Sequence, residues 1–86
     1  MNDPFLYNLP YIDVHGLDRE YTIMLLKNLI LESILLKNYK IYIIHGKGSG
    51  ILKKEIHNYL KTNKYVEKYY IYNFNDGITM IELKNN

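Results

Sequence analysis

Hydrophobic positions along the chain change period several times, and each change marks an element. Over Tyr11–Val14 the period is two. Ile12 and Val14 fall on one face and Tyr11, Asp13 and His15 on the other, which predicts a short half-buried strand closed by Gly16. From Asp18 onward the period lengthens to that of a helix. Asp18 is placed to cap a helix running to about Lys37. Thr22, Leu26, Leu29, Ile30 and Ser33 form the centre of its buried arc, and Met24, Leu31 and Leu35 form a narrow apolar stripe on the opposite side. Ile41–Ile44 is apolar throughout, as expected of a buried central strand. A second helix is predicted from about Ser49 to Lys61, with Ile51, Leu52, Ile56, Tyr59 and Leu60 facing inward. Tyr69–Phe74 and Ile78–Leu83 read as strands. Asn75-Asp76-Gly77 between them is a tight-turn signal, so the two should form an antiparallel hairpin.

The order βαβαββ implies an α/β, two-layer sandwich with a four-stranded mixed sheet and two helices. A strand–helix–strand unit makes parallel neighbours, so the first two strands should lie parallel. Alternation in the first strand argues that one sheet face is partly wet while both helices cover the other. Met1–Pro10 contains both prolines and little pattern, and reads as an N-terminal arm or the end of a linker (residues 1–10), leaving residues 11–86 as the domain. Eighty-six residues suffice for one modest core.

Composition narrows the function classes. With no cysteine there are no disulfides and no thiolate metal sites, which fits a reducing, cytoplasmic location. No apolar run exceeds four residues, so no membrane association is expected, and the first ten residues lack the basic-then-apolar order of a secretory signal. A formal charge of +2 is too small to point to nucleic acid by itself. The ten tyrosines carry reduced weight, because a chain without alanine and rich in Ile, Asn and Lys reflects codon bias. Tyr11 and Tyr42 read as packing residues ahead of base-stacking ones.

The chemistry gathers where strands end. Asp13-Val14-His15-Gly16 follows the first strand, and His45-Gly46-Lys47-Gly48-Ser49-Gly50 follows the second. If the strands are parallel, both turns lie at one carboxyl edge, where open α/β sheets place ligands. The glycine turn leads into a helix N-terminus, whose free N–H groups and dipole attract an anion. Lys47, Lys53 and Lys54 add positive charge. The spacing matches neither a P-loop nor the dinucleotide G-x-G-x-x-G pattern, because Ile51 stands where the last glycine would be. Asp13 with His15 reads either as an orienter and general base or as a strand-end carboxylate bonding turn N–H groups. His45 reads either as a phosphate-positioning or proton-donating group or as a histidine closing a buried strand. His57 reads as an ordinary surface histidine. Asp13, His15 and His45 form a weak ligand set without close histidine spacing, so no metal site is assigned. Mg²⁺ bridging a phosphate is neither required nor forbidden.

These residues also carry a resemblance. IDVHG before a helix, IIHGKGSGILKKEI, the spacing Asn63–Val66–Tyr69, and the ending Asp76–Leu83 together resemble the small MutS-related (Smr) domain over about Tyr11–Leu83. The resemblance implies a βαβαββ sandwich similar to the C-terminal domain of bacterial translation initiation factor three. It also implies binding of DNA or RNA and nicking endonuclease activity, in DNA recombination and repair or in ribosome quality control. The catalytic candidates are Asp13, His15 and His45. The phosphate-binding candidates are Gly16, Gly46, Lys47, Gly48, Ser49, Gly50, Lys53 and Lys54. Implied partners are DNA and/or RNA, the ribosome or the rest of a larger MutS-like chain, with the isolated domain a monomer. One departure stands out: family members often carry a glycine pair before the last strand, whereas Gly77 alone remains here, after Asp76. That loop is expected to approach a ligand less closely. Two other readings remain open, a non-catalytic RNA- or ribosome-binding module and a protein-contact module using the Met24 stripe.

Overall fold

The computed structural model describes residues 3–85; Met1, Asn2 and Asn86 of the expected arm and domain lie outside the described residues. The elements are β1 (Tyr11–Asp13), α1 (Arg19–Leu35), β2 (Lys40–Ile44), α2 (Ile51–Thr62), β3 (Val66–Ile71) and β4 (Ile78–Leu83). They build a four-stranded mixed sheet in the order β1-β2-β4-β3. β1 pairs parallel with β2, with Asp13 opposite Ile44, and β4 runs antiparallel to both β2 and β3. The parallel pair and the two-layer α/β arrangement are those expected from the sequence.

Both helices lie on one face of the sheet. Val14, Leu26, Ile30, Ile41, Ile43, Ile56, Leu60 and Ile81 form the central part of a core between them and the strands. Each such side chain contributes roughly 1.5–3 kcal/mol when fully buried. Thr22, Leu26, Ile30 and Ser33 are the buried residues of α1, and Met24, Leu31 and Leu35 point away, as the helical spacing predicted; Leu29, expected with the first four, is only half-buried at the edge of the core. The Asp18 carboxylate caps α1 by accepting from the Tyr21 N–H at 2.8 Å. The helix stops two residues earlier than expected, in a Schellman turn. Asn38 N–H bonds to the Ser33 carbonyl and Lys37 N–H to the Ile34 carbonyl, with Lys37 at φ +61°.

Three expectations need correction. Ile51 does not face inward; it is 62% exposed at the first turn of α2, because the helix begins at Ile51 with Gly50 as its N-cap. The third strand begins at Val66 and ends at Ile71, not over Tyr69–Phe74. A register shift between Val66 and Lys68 is the reason. Val66 and Tyr69 both face the helices although they are an odd number of residues apart, so the extra residue conceals the period-two pattern. At the far end the predicted tight turn at Asn75-Asp76-Gly77 is present, the Ile78 N–H donating to the Asn75 carbonyl at 3.1 Å, but the chain leaves the ladder after Tyr72, so Asn73 and Phe74 belong to the loop and not to the strand, and Phe74 is exposed.

The second sheet face is drier than its alternation suggested. Leu6 from the N-terminal segment packs with Tyr42, Tyr72, Ile78 and Met80 in a smaller cluster. The Tyr72 hydroxyl donates to Asp3 at 2.7 Å, tying that segment to the sheet.

Candidate functional site

Parallel pairing of β1 and β2 brings the two turns together. Gly46 has φ +84°, and a Cβ on it would lie 3.3 Å from the Cβ of His15. A side chain at position 46 would therefore be strained by its backbone and crowded by the neighbouring turn. Between the two turns lies an open cavity of about 510 Å³. Gly16 and Arg19 contribute from one side, and His45, Gly46, Gly48, Ser49, Gly50 and Lys53 from the other. Gly50, also left-handed, caps α2 without a side-chain hydrogen bond. The first-turn amides of α2, which have no intrahelical acceptor, therefore end at this cavity; the Ile51 N–H has only a long contact with the Ser49 hydroxyl, at 3.4 Å.

The predicted residues occupy different positions around it. Asp13 and His15 stand beside the cavity in solvent. The His15 Nδ1–H donates to Asp13 Oδ1 at 2.5 Å, and the His15 backbone N–H donates to the same oxygen at 3.2 Å. Partial burial pushes the Asp13 carboxyl up, but the two hydrogen bonds and the charge of His15 outweigh it and hold it below its ordinary value. The free Nε2 of an exposed ring is thus left available. Lys47 lies at a smaller hollow shared with Gly46, Gly48, Gly50, Lys53 and Asp76, and its ammonium is 3.6 Å from the Asp76 carboxylate. Both partners of that pair are exposed, so it holds Lys47 only weakly. Lys54 is exposed on α2 and lines neither hollow. Arg19, absent from the sequence-based set, bridges α1 to α2 through Glu55 at 2.8 Å at the cavity wall.

His45 is a different kind of residue from His15. It is 5% exposed. Its Nδ1–H donates to the Gly46 carbonyl at 3.0 Å, and its Nε2 lies 2.8 Å from the Thr79 hydroxyl. Burial lowers its pKa, the nearby Lys53 charge adds to that, and the carbonyl bond opposes it. With both ring nitrogens engaged it is not assembled with Asp13 and His15 as a ligand set. No group of three or more His, Asp or Glu side chains placed to hold a metal occurs among the described residues. His57 is not an ordinary surface residue. Its Nε2 is 2.8 Å from the same Thr79 hydroxyl and its ring packs edge-on against Tyr69. Burial first, then His45 and Lys53, lower its pKa. Two signals pointed there: His57 sits beside Ile56 and three residues before Leu60 on the inward arc, and Thr79 places a hydroxyl among the apolar residues that open the last strand, Ile78, Met80 and Ile81. Tyr42 is 3% exposed and stacks on Tyr11 at 4.8 Å, so it serves as packing.

The model of the Smr domain matches residues 12–84, which includes both turns and all of the sheet but Tyr11. The chain belongs to the Smr domain family. Endonuclease MutS2 of Clostridium acetobutylicum is 37% identical over 76 residues, covering 85% of this chain and 10% of that protein. Endonuclease MutS2 of Borreliella burgdorferi is 40% identical over 67 residues, covering 77% of this chain and 8% of that protein. This chain therefore spans about a tenth of the length of these relatives. Among solved structures, the Smr domain of Thermus thermophilus MutS2 superposes with a TM-score of 0.86 at 24% identity, covering 90% of this chain and all of that one. The stand-alone small MutS-related protein YdaL of Escherichia coli gives 0.82 at 17% identity over 87% of this chain and 64% of its own. At those identities the superpositions establish the shared fold. No α-helix among the described residues of this Smr domain is long and apolar enough to cross a membrane.

Proposed function

We propose that this Smr domain binds a nucleic-acid backbone at the cleft between its two turns and nicks it. The observation that carries the reading is the contact of the two turns at Gly46 and His15, which puts a hydrogen-bonded Asp13–His15 pair beside a bare glycine loop and an uncapped helix start. A backbone phosphate would sit on the amides of the loop and first turn of α2, with Gly16, Gly46, Gly48, Ser49 and Gly50 as the wall and Lys47, Lys53 and Lys54 as nearby charge. Asp13 holds the proton on His15 Nδ1, so Nε2 is free to act as general base. Nε2 takes a proton from water as its oxygen attacks phosphorus. The bond from phosphorus to the leaving oxygen breaks, and the imidazolium returns a proton to that oxygen. His45, with both ring nitrogens occupied, is assigned to shaping the loop rather than to proton transfer. The relatives named as endonucleases support the same chemistry.

Supercoiled plasmid and a structured RNA provide the test. Loss of a general base commonly costs ~100-fold or more, so His15→Ala should lower nicking by about that factor while leaving binding nearly intact. Lys47→Ala should weaken binding about two- to five-fold, and binding should fall steeply with salt. Cleavage equal in wild type, Asp13→Ala and His15→Ala would refute the assignment.

The engagement of His45 favours one second reading. With a single free imidazole at the cleft, the domain would serve as a non-catalytic binder of RNA or the ribosome. Salt-sensitive binding with no cleavage of either substrate would select it.

A further inference from the structure

Behind the glycine loop runs a chain of hydrogen bonds that the proposed cleavage does not use. It links three elements: His57 on α2, Thr79 on β4 and His45 at the end of β2. Its directions follow from the acceptors at its end. The Gly46 carbonyl only accepts, so His45 Nδ1 carries the proton and Nε2 of the neutral ring accepts. The Thr79 hydroxyl has one proton and gives it to His45. It therefore accepts from His57, whose proton is on Nε2. Thr79 is fully buried and His45 nearly so, so these two groups would be costly to leave unpaired.

The last link acts on the loop. In a trans peptide the C=O and N–H lie in one plane and point in opposite directions. Holding the Gly46 carbonyl inward against His45 turns the Lys47 N–H the other way, to the side of the loop facing solvent. That N–H finds no acceptor among the described residues. The two peptides before it are fixed from behind, because the His45 and Gly46 amides both donate to the Gly77 carbonyl, at 2.9 and 3.0 Å.

We propose that Thr79 and His57 are positioning residues: through His45 they lock the Gly46–Lys47 peptide so that the Lys47 amide is presented to an anionic oxygen in the hollow lined by Gly46, Lys47, Gly48, Gly50, Lys53 and Asp76, where the two lysines outnumber the one carboxylate. The anion's identity as a nucleic-acid phosphate rests on the function proposed above; the locking of the peptide does not.

Thr79→Val keeps the shape and removes the hydroxyl, and Thr79→Ser restores it. Binding of a fluorescein-labelled duplex DNA and of a structured RNA is titrated for each, alongside amide and imidazole NMR of the free proteins. Thr79→Val should bind about ten-fold more weakly, equivalent to ~1.4 kcal/mol. Its Lys47 amide resonance should move, and the His45 Nδ1–H, protected in wild type, should be lost to exchange. Thr79→Ser should return affinity to within about two-fold, with both resonances restored. Wild-type affinity and an unmoved Lys47 amide in Thr79→Val would overturn the proposal, as would equal losses in the Val and Ser variants. If wild type binds neither nucleic acid, the proposed function falls while the two resonances still judge the locking. If Thr79→Val does not fold, His57→Phe and His57→Gln take its place. The glutamine amide can donate where Nε2 does, so it should preserve the Lys47 resonance and phenylalanine should shift it; identical spectra in both would overturn the proposal.

Discussion

A methyl group at position 77 would meet backbone on one side and a side-chain oxygen on the other. Its carbon would lie 3.1 Å from the Gly46 carbonyl carbon, 3.2 Å from the Gly46 Cα and 3.2 Å from Asn75 Oδ1. Asn75 cannot swing away freely, since that oxygen accepts from the Gly77 N–H at 2.9 Å. Gly46 cannot retreat either, because its amide and that of His45 are bonded to the Gly77 carbonyl. Gly77→Ala should therefore act as overpacking against backbone, costing about 1–3 kcal/mol. For a domain of this size each kcal/mol lowers Tm by roughly 4–8 °C. A fall of about 8–16 °C is thus expected for a cost near 2 kcal/mol. The same shift displaces Gly46, so nucleic-acid binding should weaken although no side chain of the cleft has been removed. Gly48→Ala is the matched control. A Cβ there meets nothing within 4 Å, so Tm should change little, yet the methyl would stand on the loop where a phosphate must approach. Melting by circular dichroism and a binding titration on both variants would separate the two effects. An unchanged Tm in Gly77→Ala, or a larger Tm loss in Gly48→Ala, would refute the packing argument.

Three further outcomes follow from the same geometry. Asp76→Asn removes the carboxylate 3.6 Å from Lys47 and should tighten nucleic-acid binding about two- to five-fold at low salt, the range of an exposed charge pair, with a smaller gain at high salt; weaker binding would contradict it. Lys37→Gly relieves a left-handed residue at the end of α1 and should raise stability by roughly 0.5–1 kcal/mol in urea denaturation, an unfavourable change counting against the Schellman assignment. Burial lowers the pKa of both His45 and His57, so the unfolded chain takes up these protons first as pH falls. Their contribution to stability is complete above about pH 6.5 and is lost as pH falls from there through the lower folded values. Tm should accordingly drop between pH 7 and 5, less so in His57→Phe, and a Tm constant across that range would contradict the buried neutral pair.

Much of this arrangement was legible in residue order. Ile41–Ile44 is apolar throughout because β2 is flanked on both sides by strands and buried on both faces. The spacing of Thr22, Leu26, Ile30 and Ser33 gave the buried arc of α1 because helical geometry alone fixes it. The convergence of the two turns followed from parallel pairing, which the βαβ order implies. Other features were hidden for identifiable reasons. The irregularity near Glu67 reverses the alternation of β3, so period two found only its second half. The drying of the second sheet face depends on Leu6, with Leu9 beside it, in a stretch without periodic pattern. The roles of His45, His57 and Thr79 arise from contacts between α2, β2 and β4, and no local spacing encodes a hydrogen bond spanning 34 positions. Sequence could name His45 as special but could not tell an exposed proton donor from a buried one.

Amide NMR titration of the domain with a short oligonucleotide tests the account at its centre. Salt-sensitive shifts are expected on Gly16, Gly46 to Gly50 and the first turn of α2, with the His15 ring among the responding groups. Shifts confined to the Met24–Leu31–Leu35 stripe of α1 or to the β3 edge, with the glycine loop silent, would contradict it.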